Sequence, residues 1–182
     1  MKKKNLIICI HPYSTKGGAT NKIIKLLNNL INKNFDIVYL YLKKNLDLKL
    51  NSKVKVIHIN SSRTLLSLFK IKNVIHLYNK KNYQNKFFIS NQNYSNILVK
   101  FLLKDFGDFK SILIERNHID ELYFYNSFLD FFKKLLIKIL MKSTYKYAYK
   151  IIGNTKKLSK DLSRFVNKQV ETIYSPTNFK EI

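Results

Sequence analysis

Short apolar runs and longer stretches with helical spacing alternate along the chain. The first run, residues 6–10 (LIICI), has no polar alternation, which is typical of a strand buried on both faces. A loop containing Gly17 and Gly18 follows, and then a helical pattern that ends near Asn34. The apolar positions of that pattern are Ile23, Ile24, Leu26, Leu27, Leu30 and Ile31.

The same alternation continues to the C-terminal end. Strands are predicted over 35–42, 54–59, 74–78, 87–90, 111–114, 149–153 and 169–174. Helices are predicted from about residue 63 to 71 and over 97–103, 127–146 and 156–165, the last capped by Asn154-Thr155. No repeat or linker divides the chain. The pattern therefore predicts one α/β domain over residues 1–182, with a doubly wound, mostly parallel, Rossmann-like sheet.

Three polar clusters directly follow predicted strands. They are Lys16–Gly18, Asn91–Asn96 and Glu115–His118. Ligands of open α/β sheets bind beyond the carboxyl ends of the strands, so we expect the three clusters to share one crevice. Glycines before a helix let backbone N–H groups approach a phosphate, although a strand-to-helix turn without a ligand has the same sequence.

The residue types in these clusters suit phosphate and hydroxyl groups. Arg116 can hold an anion bidentately, with Glu115 orienting it or accepting hydroxyl protons. Amides both donate and accept, as sugar hydroxyls require. The alternatives are helix capping for Asn91 and Asn96, and an ion pair between Glu115 and Arg116. The candidate substrate-binding residues are Gly17, Gly18, Asn91, Asn96, Glu115, Arg116 and Asn117.

No catalytic residue follows from these patterns. His118 is typical of a solvated loop histidine, and His58 and His76 fall within predicted strands. His11 is the best placed of the histidines, just before the glycine loop, but its position alone does not make it a base. No metal-ligand spacing is found around Cys9.

The formal net charge of +23 suggests an acidic partner. The abundance of Lys, Asn, Ile, Tyr and Phe is what AT-rich codons produce, which accounts for part of the lysine excess. Only three residues are arginine (Arg63, Arg116 and Arg164), and a nucleic-acid reader uses more of them. We therefore expect no nucleic-acid partner, and favour a phosphorylated substrate or an anionic membrane surface.

No stretch is apolar over the roughly 20 residues that a membrane span needs. The N-terminal MKKKNLIICIHP resembles a signal peptide, but its apolar part is too short and no small-residue cleavage site follows. The lone Cys9 cannot form an internal disulfide. We expect a cytoplasmic protein, peripheral at the inner face of the membrane if it binds lipid.

The predicted helix after residue 127 carries lysines at four-residue spacing: Lys134, Lys138, Lys142 and Lys146. These form one stripe on a helix whose remaining surface is apolar. Lysines beside aromatic and aliphatic residues are typical of an interfacial helix, which makes this stripe the candidate membrane-facing element. The alternative is a crossover helix with its lysines in water.

The order of these pieces resembles the N-terminal half of family 4 glycosyltransferases, which have the two-domain GT-B architecture. The resemblance is carried by the glycine pair, VIHLYN, ISNQNYSN, ILIERN, YKIIGNTKKLSKDL and ETIYSP. Asn154-Thr155 and Tyr174-Ser175-Pro176 depart slightly from the family pattern, which has Val-Ser or Asn-Ser and Tyr-Asn-Pro.

The resemblance implies a hexosyltransferase of polysaccharide biosynthesis that takes a nucleotide-sugar as co-substrate and uses no metal or other cofactor. This half would hold the glycan or lipid-linked acceptor, with Gly17-Gly18 facing the donor. The family's second domain carries a paired-glutamate motif that this sequence lacks up to Ile182. The expectation is therefore a fragment, or a chain completed by a separate C-terminal polypeptide, that is inactive alone.

Two other functions are compatible with the residues. Lys16-Gly17-Gly18 resembles the deviant Walker loop of partitioning ATPases, but Thr20-Asn21-Lys22 stands where Gly-Lys-Thr belongs. The third alternative is a basic, non-catalytic scaffold at a membrane.

Overall fold

The computed structural model describes residues 4–13, 18–43, 49–61 and 63–174. In this part of the chain seven parallel strands form one sheet in the order β3-β2-β1-β4-β5-β6-β7. The predicted doubly wound sheet is confirmed. Its strand order reverses between β1 and β4, where a crevice opens in such folds. The strands are β1 Asn5–Tyr13, β2 Phe35–Lys43, β3 Lys55–His58, β4 Lys86–Asn91, β5 Phe109–Glu115, β6 Lys150–Gly153 and β7 Glu171–Thr172.

Within the described ranges, five α-helices cover the two faces of the sheet. They are α1 Gly18–Leu30, α2 Leu68–Asn79, α3 Asn93–Leu103, α4 Phe128–Tyr145 and α5 Lys156–Val166. The sequence explains several of their ends. Ser127 and Thr155 each accept a hydrogen bond at 3.1 Å from the backbone N–H three residues on, as N-caps do. Asn34 closes the turn after α1 in the left-handed conformation, with φ 61°.

The alternation of side chains along β1 divides the core in two. Leu6, Ile8 and Ile10 belong to the larger cluster, which includes buried residues of α2, α3 and α4. Ile7 and Cys9 pack with Ile23 and Leu27 of α1 in the smaller cluster. Because β1 is buried on both faces, its apolar run needs no polar positions. None of the helices among the described residues is long and apolar enough to cross a bilayer.

The strand predicted over residues 74–78 is wrong, because these residues form the second half of α2. Ile71, Ile75 and Tyr78 are buried at helical spacing, while Leu77 is 67% exposed. A short, mostly apolar run such as VIHLY fits a short strand or a buried helix equally well. The 3.6-residue period of the buried residues Ile71, Ile75 and Tyr78 extends beyond this run, and it favours the helix.

Gly153 lies where β6 ends against the first turn of α5, and it tests how closely the two elements pack. A Cβ at this position would collide with Ser159 Oγ and lie 3.3 Å from the Ser159 Cα. We expect Gly153→Ala to lower the free energy of unfolding by about 1–3 kcal/mol, the usual effect of overpacking. Urea denaturation followed by circular dichroism measures this.

Gly107→Ala is the matched control, since its Cβ would meet only the Leu103 carbonyl oxygen at 3.9 Å, an ordinary contact. The free energy of unfolding of this variant should stay within about 0.5 kcal/mol of that of the wild type. Equal effects of the two substitutions would contradict the close approach of α5 to β6.

Candidate functional site

The carboxyl ends of β1, β4 and β5 lie side by side at one edge of the sheet. Ile10 pairs with Ser90, and Asn91 pairs with Ile114. His11, Asn91 and the start of the loop after β5 therefore meet where the strand order reverses. Of the three predicted clusters, Asn91–Asn96 and Glu115–His118 lie together here. Lys16 and Gly17 lie outside the described residues, and Gly18 begins α1 with an exposed backbone.

Three polar side chains lie at this edge with unsatisfied groups. His11 and Asn91 are almost completely buried, and Arg116 is half-buried. His11 shares the face of Cys9, and its Nε2 lies 3.1 Å from the Thr20 hydroxyl of α1. Its Nδ1, both side-chain polar atoms of Asn91 and the Nε of Arg116 are buried without a hydrogen-bond partner among the described residues. Unsatisfied buried groups cost free energy, so their concentration here points to a ligand.

The electrostatics of this group favour an anion. Burial, together with the smaller effect of the nearby positive charge of Arg116, lowers the pKa of His11 to about 4. His11 is therefore neutral at pH 7. Burial also lowers the pKa of Arg116, which nevertheless stays charged. Among the described residues no carboxylate forms an ion pair with Arg116.

A hydrogen-bonded network occupies the opposite face of the sheet. Tyr145 of α4 donates to Glu115 Oε2 at 2.9 Å, and Asn96 of α3 donates to the Tyr145 hydroxyl and to the Ile114 carbonyl, both at 3.1 Å. Ser90 donates to Asn96 Oδ1 at 2.6 Å. All four side chains are buried. The network ties β4, α3, β5 and α4 together at the edge of the sheet.

Burial raises the pKa of Glu115, and its four hydrogen-bond donors offset only part of that effect. The donors include Tyr145 and the backbone N–H groups of Arg116 and Asn117, at 3.0 and 3.3 Å from Oε1. Glu115 thus fixes the course of the chain into the Arg116 loop. Glu115 and Asn96 are both buried, and their hydrogen bonds to the backbone N–H groups of Arg116 and Asn117 and to the Ile114 carbonyl position the start of this loop.

A cleft of about 330 Å³ opens above this network, between the start of α3, the loop after β5 and α4. Its lining residues are Gln92, Asn93, Tyr94, Asn117, Glu121, Leu122, Asp130, Lys133, Lys134 and Ile137. Gln92 connects β4 to α3 with φ 78° and ψ 151°, a conformation that L-residues rarely adopt. Such backbone strain clusters at ligand-binding positions. The cleft offers amides, carboxylates and ammonium groups, the mixed chemistry that binds hydroxyls.

The predicted lysine stripe lies along one side of α4. Lys134 pairs with Asp130 at 2.8 Å, and Lys138 donates to the Tyr125 hydroxyl at 2.9 Å. Lys142 and Lys146 are exposed. Of the residues predicted to bind substrate, only Asn117 both lines the cleft and has an exposed side chain.

Sequence reasoning singled out neither Tyr145 nor Gln92 individually, and it assigned His11 no role. Tyr145 occupies a core-facing position of its helix. From the sequence it cannot be told apart from an apolar core residue, so its hydrogen-bonding role is not visible there. Gln92 is distinguished from its neighbours by its backbone angles, which cannot be read from a sequence. His11 was noted for its position, but its burial and its contact with Thr20 need the fold.

No family model matches the chain, and no curated protein matches it. Solved structures do resemble it. A sucrose-phosphate synthase from Thermosynechococcus elongatus is similar with a TM-score of 0.63 and 13% identity, over 96% of this chain and 90% of that one. The UGT transferase of Siraitia grosvenorii in complex with UDP is similar with a TM-score of 0.62 and 8% identity, over 93% of this chain and 50% of that one.

The structure of Phytolacca americana UGT2 in complex with UDP-2fluoro-glucose and pterostilbene gives a TM-score of 0.58 and 10% identity. This chain spans 56% of that protein, about half the length of the UGT structures. At such low identities the likeness shows the fold alone, a Rossmann-like α/β domain.

We predict that the His11 imidazole titrates near pH 4. Its pKa is lowered to about 4 by burial and by Arg116, so between pH 6.5 and 4 the unfolded chain takes up this proton before the folded one. The free energy of unfolding should therefore decrease as the pH falls from 6.5 to 4. Proton NMR of the imidazole signals measures the midpoint, with His11→Gln assigning the resonance. A midpoint near 6.5 would mean that the ring is solvated.

Glu115 predicts a pH dependence of opposite sign. Because the folded state holds the Glu115 proton more tightly than the unfolded state, its contribution to stability is present at low pH and is lost as the pH rises above about 4.5. The free energy of unfolding of wild type minus that of Glu115→Gln should therefore decrease from pH 4 to pH 7. Urea denaturation of both proteins at each pH tests this, and a difference that rises with pH contradicts it.

Proposed function

We propose that this chain is the acceptor-side domain of a glycosyltransferase of the family 4 type. With a C-terminal domain it would transfer a sugar from a nucleotide-sugar donor to a glycan or lipid-linked acceptor. The fold supports the GT-B part of this proposal. The observation that carries the sugar-transfer part is the group of unsatisfied polar atoms at the point where the sheet order reverses.

The donor phosphate would bind on the α1 face of this edge. Arg116 offers a guanidinium without a carboxylate partner, and Asn91 offers a buried amide. Gly18 starts α1, so the helix N-terminus adds backbone N–H groups and a partial positive charge to the same side. An anion here satisfies donors that are otherwise buried without partners. The negative charge of a diphosphate suits this arrangement better than a neutral ligand does.

The acceptor would bind in the cleft beside α3 and α4. Gln92, Asn93 and Asn117 present amides, and Glu121 presents a carboxylate, all of which bind sugar hydroxyls. Glu115 and Asn96, predicted as direct ligands, would act by positioning Arg116 and the start of α3. The volume of about 330 Å³ is at the lower end of ordinary ligand pockets, which suits one or two sugar units.

A second domain would complete the donor site. The UGT structures that this chain resembles are about twice as long as it is. In the proposal the missing half belongs to the same gene product or to a separate polypeptide, and it closes on the edge that carries His11, Asn91 and Arg116.

We predict that Arg116→Gln weakens binding of UDP and of inorganic pyrophosphate by about tenfold or more. A hydrogen bond to a charged group contributes about 1.5–3 kcal/mol, and glutamine keeps part of the side-chain volume. Titration of the ¹⁵N-labelled chain, at a salt concentration that screens exposed lysines, should shift the amide signals of Gly18, Asn91 and Arg116.

Arg164→Gln is the matched control, since Arg164 is exposed on α5 and lies outside the site. It should bind both probes as wild type does. Equal losses in the two variants, or shifts confined to surface lysines, would show that only the net charge of +23 attracts the probes. A transfer assay with the completed enzyme then tests the sugar chemistry itself.

A further inference from the structure

The outer face of α4 is apolar where a surface helix is normally polar. Phe128 is 76% exposed and Leu129 is 80% exposed. The inner face of the same helix is buried through Ile137, Met141 and Tyr145. We call the following exposed residues the α4 apolar surface: Tyr123, Phe124, Tyr125, Phe128, Leu129, Phe131, Phe132, Leu135, Leu136 and Ile139. A helix with apolar residues on both faces needs something to cover the outer one.

The rings of this surface contact one another, so it is continuous. Tyr125 and Phe131 have ring centroids 5.0 Å apart, Phe131 and Phe132 5.4 Å, and Phe128 and Phe132 4.7 Å. Monomeric proteins rarely leave a contiguous apolar patch of this kind in water, and such patches mark docking surfaces for proteins or membranes.

Lysines surround the α4 apolar surface. The Lys138 ammonium lies 4.4 Å from the centre of the Tyr123 ring and 5.5 Å from that of the Tyr125 ring. The single acidic residue of α4, Asp130, is paired with Lys134. Lys133, Lys138, Lys142 and Lys146 therefore form no ion pair among the described residues.

This combination distinguishes between the classes of partner. The centres of protein–protein interfaces are depleted in lysine, whereas helices that bind membranes carry aromatic and aliphatic residues flanked by lysine. The tyrosines of the α4 apolar surface, Tyr123 and Tyr125, are of the aromatic type that is enriched at the boundary between headgroups and acyl chains. The positive charge complements anionic lipid headgroups.

We propose that the α4 apolar surface docks on an anionic lipid bilayer, with Phe128 and Leu129 entering the headgroup boundary and the flanking lysines contacting phosphates. The lysine stripe predicted from the sequence lies at the side of this contact, and the apolar residues form its centre. Asp130, Lys133 and Ile137 of the same helix line the cleft, so docking brings the cleft close to the bilayer. A lipid-linked acceptor would then reach it without leaving the membrane, a consequence that rests on the proposed function.

Vesicle co-sedimentation tests the docking without any sugar transfer. The wild-type chain should bind phosphatidylcholine vesicles that contain phosphatidylglycerol, and bind pure phosphatidylcholine at least tenfold more weakly. Phe128→Ser with Leu129→Ser should lower binding to the anionic vesicles at least tenfold. Leu66→Ser with Phe69→Ser is the matched control, because both side chains are exposed elsewhere, Phe69 on α2, and it should bind as wild type does.

Fluorescence gives an independent readout of insertion. The only cysteine, Cys9, is buried, and burial raises the pKa of its thiol to about 12, so a thiol-reactive fluorophore labels an introduced cysteine selectively. The labelled Leu129→Cys variant should shift its emission to the blue on anionic vesicles, while labelled Phe69→Cys should not.

Three results would overturn the proposal. They are no binding of the wild type to anionic vesicles, equal losses in the two double variants, and equal emission shifts of the two labelled variants. A concentration-dependent dimer that Phe128→Ser with Leu129→Ser abolishes, without vesicle binding, would assign the surface to a second copy of the chain. A failure of pyrophosphate or UDP to bind near Arg116 would contradict the proposed function and leave the docking result standing.

Discussion

One asparagine side chain holds the functional edge of this domain together. Asn96 accepts from Ser90 of β4, and it donates to the Ile114 carbonyl of β5 and to the Tyr145 hydroxyl of α4. Tyr145 in turn holds the buried carboxylate of Glu115. In a low-dielectric interior such a network stabilises only if every member is satisfied, so it fixes the relative positions of α3, α4 and the two strands closely. The Arg116 loop and the cleft both depend on that arrangement.

The sheet separates the polar residues of this edge into two groups with different roles. Residues that alternate toward α1 keep unsatisfied atoms: His11, Asn91 and Arg116. Residues that alternate toward α3 and α4 satisfy one another. A period of two along each strand produces this division, since neighbours in sequence such as Ser90 and Asn91 point to opposite faces. The group with open hydrogen-bonding capacity is the one that can bind a ligand.

Much of the fold could be predicted from the sequence, because buried parallel strands leave uninterrupted apolar runs. Residues 6–10 and 112–114 are such runs, and the predicted cap Thr155 marks the start of α5. The pattern failed at residues 74–78, where an apolar run belongs to a helix. The polar clusters were found from their positions after strands. Their division between two faces and the strained turn at Gln92 depend on backbone geometry, which residue types do not specify.

The exposed face of α4 also follows a physical rule that the sequence alone leaves open. Its many apolar residues exceed what one sheet face can cover, but the pattern does not decide which of them point inward. In the structure the inward positions are Ile137, Met141, Thr144 and Tyr145, because Tyr145 must reach Glu115. With the helix in this rotation, Ile137 and Met141 pack in the core and Phe128 and Leu129 point outward. The buried network and the outward apolar surface are thus two consequences of one helix orientation.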